Sequence, residues 1–245
     1  MLTGDLRGKI DAIWNDFWSG GLANPLEVIE QITFLLFIKR LDELQTLEER
    51  KSEALIGDVI ADAYRVITGA DFAAQQAGGI RAPLTCDLSA TTFCPAKSGP
   101  PYTITRGAIA TTLPFANRVV TLAISGSELW QLLETSVAAA PAASGSFLQV
   151  SGLCFTYAVS NPAGARVQSV VRQAPNGSCT GAAVPSDGSS HTIALDSFTA
   201  GGGGGFANLA ARAASHGYDA DVVTDWMIAN TPINPTLNGR ITQSP

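Results

Sequence analysis

Lysine is nearly absent from most of this chain: beyond residue 51 the only one is Lys97. Histidine is rarer still, with His191 and His216 alone. Without an Asp-x-His or Gly-Asn-His cluster, the sequence offers no ligand set for a two-metal hydrolytic centre. There is no Gly-x-Ser-x-Gly elbow, and no glycine-rich loop ends in the Lys and Ser or Thr of a phosphate-binding loop. Those gaps exclude a serine hydrolase of that type and a P-loop nucleotidase. The longest apolar run, Ile32 to Ile38, is broken by Thr33 and is far too short to cross a bilayer, so no membrane partner is expected. The net charge of −6 argues against a general DNA- or RNA-binding surface, where affinity comes from Lys and Arg neutralising phosphates. The N-terminus carries acidic residues and no apolar stretch ending in a small-residue cleavage site, so no signal peptide is expected.

What is present divides near residue 50. The first part bears lysines and has little alanine; the second is rich in Gly, Ala, Ser and Thr and holds all 4 cysteines. So abrupt a change suggests a chimeric fusion, with residues 1–50 and 51–245 as pieces of different origin. The content of 46% apolar residues and a mean hydropathy of +0.18 suit a globular protein with a real core. Cys86 and Cys94 bracket a short Ser-, Thr- and Pro-bearing loop, while Cys154 and Cys179 flank an expected hairpin with a Pro-Asn-Gly-Ser tip. Two local pairs without Cys-x-x-Cys or a nearby His point to two disulfides, with buried free thiols as the alternative. Disulfides imply an oxidising compartment, at odds with the missing export signal.

In the first piece, Leu6, Ile10, Ile13, Trp14, Phe17 and Trp18 stand at helical spacing and Gly20-Gly21 ends the pattern. Asn24 as N-cap, Pro25 at the first helical position and Glu27 at the third open a second helix continuing to about Arg50. Phe34 to Ile38 is apolar on nearly every side, as in a helix inside a bundle. Two helices alone cannot bury it, so self-association into a homodimer is expected.

In the second piece, helices are expected over 54–67 and 127–137, the latter capped by Ser127. Strands are expected over 71–76, 118–124, 147–159, 166–172 and 192–198. The glycine run Gly201 to Gly205 precedes a short expected helix from Phe206. Such a run costs backbone entropy and is expected where backbone closely approaches a ligand or another chain segment; a plain flexible loop is the alternative. His191, in a Ser-rich turn, and His216, near a helix end, read as solvated.

Two resemblances follow from particular residues. Ile10-Asp11-Ala12-Ile13-Trp14, Phe17-Trp18-Ser19-Gly20-Gly21, Asn24-Pro25-Leu26-Glu27 and Leu35-Leu36-Phe37-Ile38-Lys39-Arg40 resemble the start of the modification subunit of type I restriction–modification systems. That family's later Asn-Pro-Pro-aromatic methyltransferase motif is absent, so methyl transfer is not expected, and DNA binding by two helices is not expected either.

Gly57-Asp58-Val59-Ile60-Ala61-Asp62-Ala63, Gly78-Gly79-Ile80-Arg81, Leu113-Pro114-Phe115-Ala116-Asn117, Phe147-Leu148-Gln149-Val150-Ser151-Gly152-Leu153 and Phe198 to Phe206 resemble the C-terminal domain of 5′-nucleotidases. This resemblance implies an α/β fold with mixed sheets, here preceded by a two-helix N-terminal appendage. It implies a nucleoside or nucleotide as partner, adenosine- or AMP-like. By position, Phe115 and Phe198 look like the aromatics that sandwich the base, Arg81 like an arginine on the phosphate or ribose side, and Arg50 like a second one. Gln76 stands where the family usually has asparagine, and Gly204 where it usually has an aspartate facing the ribose; both changes weaken the expected site. Hydrolysis in the family uses two divalent metals on a separate metallophosphatase domain, so no cofactor and no catalysis are expected of this chain alone. Three readings compete: a nucleoside-binding module, a substrate-binding half completed in trans, and a non-functional or artificial fusion.

Overall fold

The computed structural model describes residues 53–84 and 104–244, together with isolated helical positions at 8–9, 11–12, 15–16, 33, 37 and 39–40. The chain separates into two compact units, Met1–Lys51 and Ser52–Pro245. The helices expected over 5–18 and 24–50 otherwise fall outside the described residues, as do Arg50, Cys86 and Cys94. No helix among the described residues is long and apolar enough to cross a membrane.

The second unit opens with helix α1, residues 53–68. Ile56, Val59, Ile60, Ala63 and Tyr64 recur at helical spacing and are buried. The Thr68 hydroxyl donates to the Tyr64 carbonyl at 2.7 Å, and Gly69 turns left-handed to end the helix.

The next strand, β1 (Phe72–Gln76), is buried throughout, as a central strand must be. The other strands are β2 (Arg118–Ser125), β3 (Leu148–Ser151), β4 (Leu153–Ala158), β5 (Val167–Arg172), β6 (Ser190–Asp196), β7 (Ala214–Tyr218) and β8 (Ile241–Ser244). Helices α2 (Arg106–Thr112), α3 (Gly126–Val137), α4 (Ser197–Ala200) and α5 (Asp219–Ala229) lie between them. A five-stranded mixed sheet runs β3-β1-β6-β2-β7, and a three-stranded one runs β5-β4-β8. β1 pairs parallel with β6 and antiparallel with β3, so the sheet is mixed at its centre.

Alternation along the strands divides the core. Phe72 and Ala74 join Leu122, Leu129, Leu133, Leu148, Phe155 and Leu195 in one cluster. Ala73, one residue out of phase, faces the other side with Ile60, Tyr64, Val119, Val222 and Val223.

Several sequence expectations change. The strand expected over 147–159 is two strands in two different sheets. Gly152 divides them at φ +80°, and a Cβ there would lie 2.3 Å from the Asp71 carbonyl oxygen, so only glycine fits. Ser125, not Ser127, caps α3. The Ser125 hydroxyl accepts from the Glu128 backbone N–H at 3.1 Å while the Glu128 carboxylate accepts from the Ser125 N–H at 2.9 Å. That reciprocal box needs Glu three residues after the cap, a spacing Ser127 lacks. The strand expected over 192–198 stops at Asp196, whose side chain caps α4, so Phe198 sits on a helical turn. No helix starts at Phe206; a single 3-10 turn follows at Ala210–Arg212.

The histidines also move. His191 lies in β6, half-buried, with Nδ1 3.2 Å from an Arg172 guanidinium nitrogen and its ring 5.3 Å from that of Phe72. His216 lies in β7, exposed, 2.7 Å from the Thr121 hydroxyl. Cys154 and Cys179 are joined by a disulfide, which ties β4 to the turn after β5.

Candidate functional site

The expected site residues fall on segments linked head to tail. Arg81 follows the 3-10 turn Ala77–Gly79, and its backbone N–H donates to the Thr112 carbonyl at 2.9 Å, at the end of α2. Three residues on, Phe115 stands 58% exposed. The following Ala116 has φ +51°, a left-handed backbone in a residue with a Cβ. Such strain persists only where the surroundings hold it and gathers at functional sites. The chain then enters β2 at Arg118, whose N–H donates to the Ser197 hydroxyl at 3.0 Å. The neighbouring Phe198 is 48% exposed. Two large aromatics are thus left in solvent on segments tied by a hydrogen bond.

The glycine run completes the circuit. A Cβ on Gly203 would lie 2.4–2.5 Å from ring carbons of Phe198, so the ring rests directly on bare backbone. Close approach of chain to chain is therefore one reason for the run, as the sequence allowed. The Gly204 carbonyl accepts from the Ser146 hydroxyl at 2.6 Å. From the same loop, the Phe147 carbonyl accepts from Ala77 N–H at 2.7 Å and the Gly145 carbonyl from Gly78 N–H at 2.8 Å. Gln76, buried at the end of β1, adjoins these bonds, and its own carbonyl accepts from the Gln75 side-chain amide at 2.8 Å. Phe115, Phe198, Gly204, Gln76 and Arg81 therefore lie on one closed ring of contacts. Arg50 is outside the described residues. Ser146 was not among the expected residues; one hydroxyl in a Ser-Gly-Ser loop carries no signal before its partner is known.

Beneath the ring lie buried acids. Asp196 accepts from the Thr199 N–H and hydroxyl, each at 2.8 Å, and so fixes the turn bearing Phe198. The Asp219 backbone N–H donates to the Asn117 carbonyl at 2.9 Å, and its carboxyl accepts from Ala220 N–H at 2.8 Å. Burial pushes both carboxyls up, Asp219 to about 6, with the charge on Asp196 adding to the effect. Tyr64, fully buried, donates to the Gln75 side chain at 3.0 Å, and burial raises its phenol well above the ordinary value. A cavity of about 210 Å³ lies beside the ring, lined by Leu132, Leu195, Phe206 and Leu209 among others. Neither exposed aromatic lines it. Among the described residues, no group of three His, Cys, Asp or Glu side chains could hold a metal ion.

Known proteins resemble this chain in sequence and fold. Residues 31–212 match the family described as 5′-nucleotidase, C-terminal domain. A snake venom 5′-nucleotidase from Gloydius brevicauda is 30% identical over 210 residues, spanning 78% of this chain and 33% of that protein. The trifunctional nucleotide phosphoesterase protein YfkN of Bacillus subtilis is 28% identical over 203 residues, covering 78% of this chain and 12% of its own length. The crystal structure of a 5′-nucleotidase precursor from Thermus thermophilus superposes with a TM-score of 0.61 at 29% identity, over 78% of this chain and 36% of that one. The chain thus spans a third or less of the curated relatives cited. On these grounds the chain belongs to the 5′-nucleotidase C-terminal domain family.

Proposed function

We propose that this domain binds the nucleoside part of a nucleotide, with the base held between Phe115 and Phe198. The observation that carries this reading is the pair of exposed rings on hydrogen-bonded segments, one of them seated on glycine backbone. Large apolar side chains left in water on strained or special backbone mark recognition surfaces. A flat base stacked on each ring gains about 0.5–1.5 kcal/mol beyond area burial. Arg81, exposed beside the same segment, offers a planar fork of donors to a phosphate or ribose. Gln76 and Gly204 supply mainly backbone here; the Gly204 carbonyl is already engaged by Ser146. Hydrolysis is assigned to a separate metal-bearing domain, in the same protein or in a partner.

Titration calorimetry with adenosine, AMP and ribose 5-phosphate tests this. Adenosine and AMP should bind, ribose 5-phosphate should bind far more weakly, and AMP with added Mn²⁺ should release no phosphate. Equal binding of all three would remove the base-stacking reading.

For the first unit we propose a packing or oligomerising role, as the apolar stretch Phe34 to Ile38 suggests. Phe37 is 59% exposed in the single chain, which favours cover by a second copy. Phe37→Glu should convert a dimer to a monomer by light scattering without changing adenosine affinity. A wild-type monomer at tens of micromolar would contradict the proposal.

A further inference from the structure

The sequence contains two Asn-Gly steps, Asn176-Gly177 and Asn238-Gly239. Such a step can deamidate without a catalyst, because glycine has no Cβ to hinder attack by its own nitrogen on the preceding side chain. The fold brings the two steps side by side. The position a Cβ would take on Gly177 is 3.8 Å from Asn238 Nδ2, and the Cys179 sulfur lies 3.5 Å from the Gly239 carbonyl oxygen. Both asparagines are exposed to water. Both glycines have left-handed backbone, at φ +82° and +70°. Solvent access and glycine conformation are thus alike, and the steps differ in their hydrogen bonds.

The Asn176 step is tied down. Its attacking atom, the Gly177 nitrogen, donates its hydrogen to the Ala174 carbonyl at 2.8 Å, and the Ala174 N–H donates to the Ser178 carbonyl at 2.8 Å. Asn176 Oδ1 accepts from the Ser178 N–H at 3.1 Å and from its hydroxyl at 2.7 Å. The Gln173 side-chain amide donates to the Gly177 carbonyl at 2.9 Å, and the disulfide at Cys179 anchors the end of the turn. At Asn238 the attacking nitrogen is unbonded: among the described residues nothing accepts the Gly239 N–H. A Cβ on Gly239 would meet nothing within 4 Å, so the nitrogen stands in open space. Asn238 Oδ1 accepts from Arg240 Nε at 3.0 Å. That cationic donor polarises the side-chain carbonyl and favours the oxyanion that attack creates.

We infer that Asn238 is a site of spontaneous deamidation in the folded protein, while Asn176 is protected by its turn. The Gly239 nitrogen gives its proton to solvent base and bonds to Asn238 Cγ. The Cγ–Nδ2 bond breaks, ammonia leaves with a proton from water, and a five-membered succinimide remains. One water molecule then opens the ring. Addition at Cγ gives an aspartyl residue at position 238; addition at the backbone carbonyl gives an isoaspartyl residue, with the chain running through the former side chain. The sum is amide plus water to carboxylate plus ammonium. Either product puts a new negative charge beside Arg240, whose guanidinium already serves Asp62 and lies 3.7 Å from Asp58. The isoaspartyl product also lengthens the backbone just before β8. This chemistry is independent of the nucleoside reading.

Timed incubation of the full chain at pH 8, followed by acidic digestion and mass spectrometry, tests it. The mass gain of one unit that marks deamidation should appear in the peptide holding Asn238 about tenfold faster, or more, than in the peptide holding Asn176. In urea, with the disulfide reduced, the two rates should converge to within about threefold, because the turn that protects Asn176 is gone. Ser178→Ala removes one bond to Asn176 Oδ1 and should speed conversion of Asn176 in the folded protein without changing Asn238. Equal native rates, or faster conversion of Asn176, overturn the inference. A preference for Asn238 that persists undiminished in urea also overturns it, since the neighbouring sequence and not the fold would then set the rate. The wild-type comparison needs no variant, so the test stands even if Ser178→Ala does not fold.

Discussion

Arg240→Met should destabilise the second unit by about 3–5 kcal/mol, the cost of leaving buried carboxylates without their cation. Arg240 is 8% exposed although it comes just before the last strand. Its guanidinium grips Asp62 on α1 with two bonds, at 2.9 and 2.8 Å, and donates to the Val150 carbonyl at 2.9 Å. A further nitrogen lies 3.7 Å from Asp58 and donates to the Asn238 side chain at 3.0 Å. Ser151 donates to Asp62 as well and accepts from Arg65, so α1, β3 and the segment leading into β8 meet at one ion-pair network.

The loss should depend on pH. Burial raises Asp58 to about 6, against which the Arg240 charge works. A carboxyl whose folded pKa lies above its unfolded value takes up a proton on folding. Its stabilisation is full below about 4 and is lost as pH rises through about 6. Removing Arg240 pushes Asp58 higher still, so the penalty for ionising it grows between pH 5 and 7.5. Urea unfolding of wild type and Arg240→Met at those two pH values checks both statements. A difference under about 1 kcal/mol at pH 7.5 would show the network to be solvated and replaceable.

None of that network is legible in sequence. Asp62 and Arg240 are 178 residues apart, and a single arginine in a Gly-Arg-Ile stretch has no periodicity to place it. Elements with a strong local pattern or a clear stop signal were legible: the α1 stripe, the short strand β1 before Gly78-Gly79, and the β-branched β2 fell within a few residues of expectation. Elements with weak patterns were not. β7 reads Ala-Ser-His-Gly-Tyr, without alternation, and α2 is built of Arg, Gly, Ala, Ile and Thr with one apolar anchor, Ile109.

Misplaced boundaries have local causes. Asp196-Ser197-Phe198-Thr199 holds a capping signal, but the β-rich residues before it suggested an unbroken strand. Gly152 lies in an otherwise continuous run, and only its left-handed backbone reveals the passage from one sheet to the other. The candidate site residues are named from sequence only as types at positions. Their joining through Ser146, Ser197 and the Thr112 carbonyl is a property of the folded chain.

Phe198→Ala should lower adenosine affinity about thirtyfold, or about 2 kcal/mol, combining lost stacking with lost apolar contact. The ring is half in solvent, so stability should change by no more than about 0.5 kcal/mol. Phe115→Ala should act comparably, and the double variant should abolish measurable binding if the two rings hold opposite faces of one base. Gly203→Ala separates the presence of the ring from its placement. The backbone at Gly203 is not left-handed, so alanine adds only a methyl group, within 2.5 Å of the Phe198 ring carbons. The ring must swing away from the position it now holds, although its chemistry is untouched. Affinity should then fall about tenfold. Should Phe198→Ala bind adenosine as wild type does, the exposed ring serves another contact. Should Phe198→Ala fail while Gly203→Ala binds normally, the ring matters but the glycine run does not aim it.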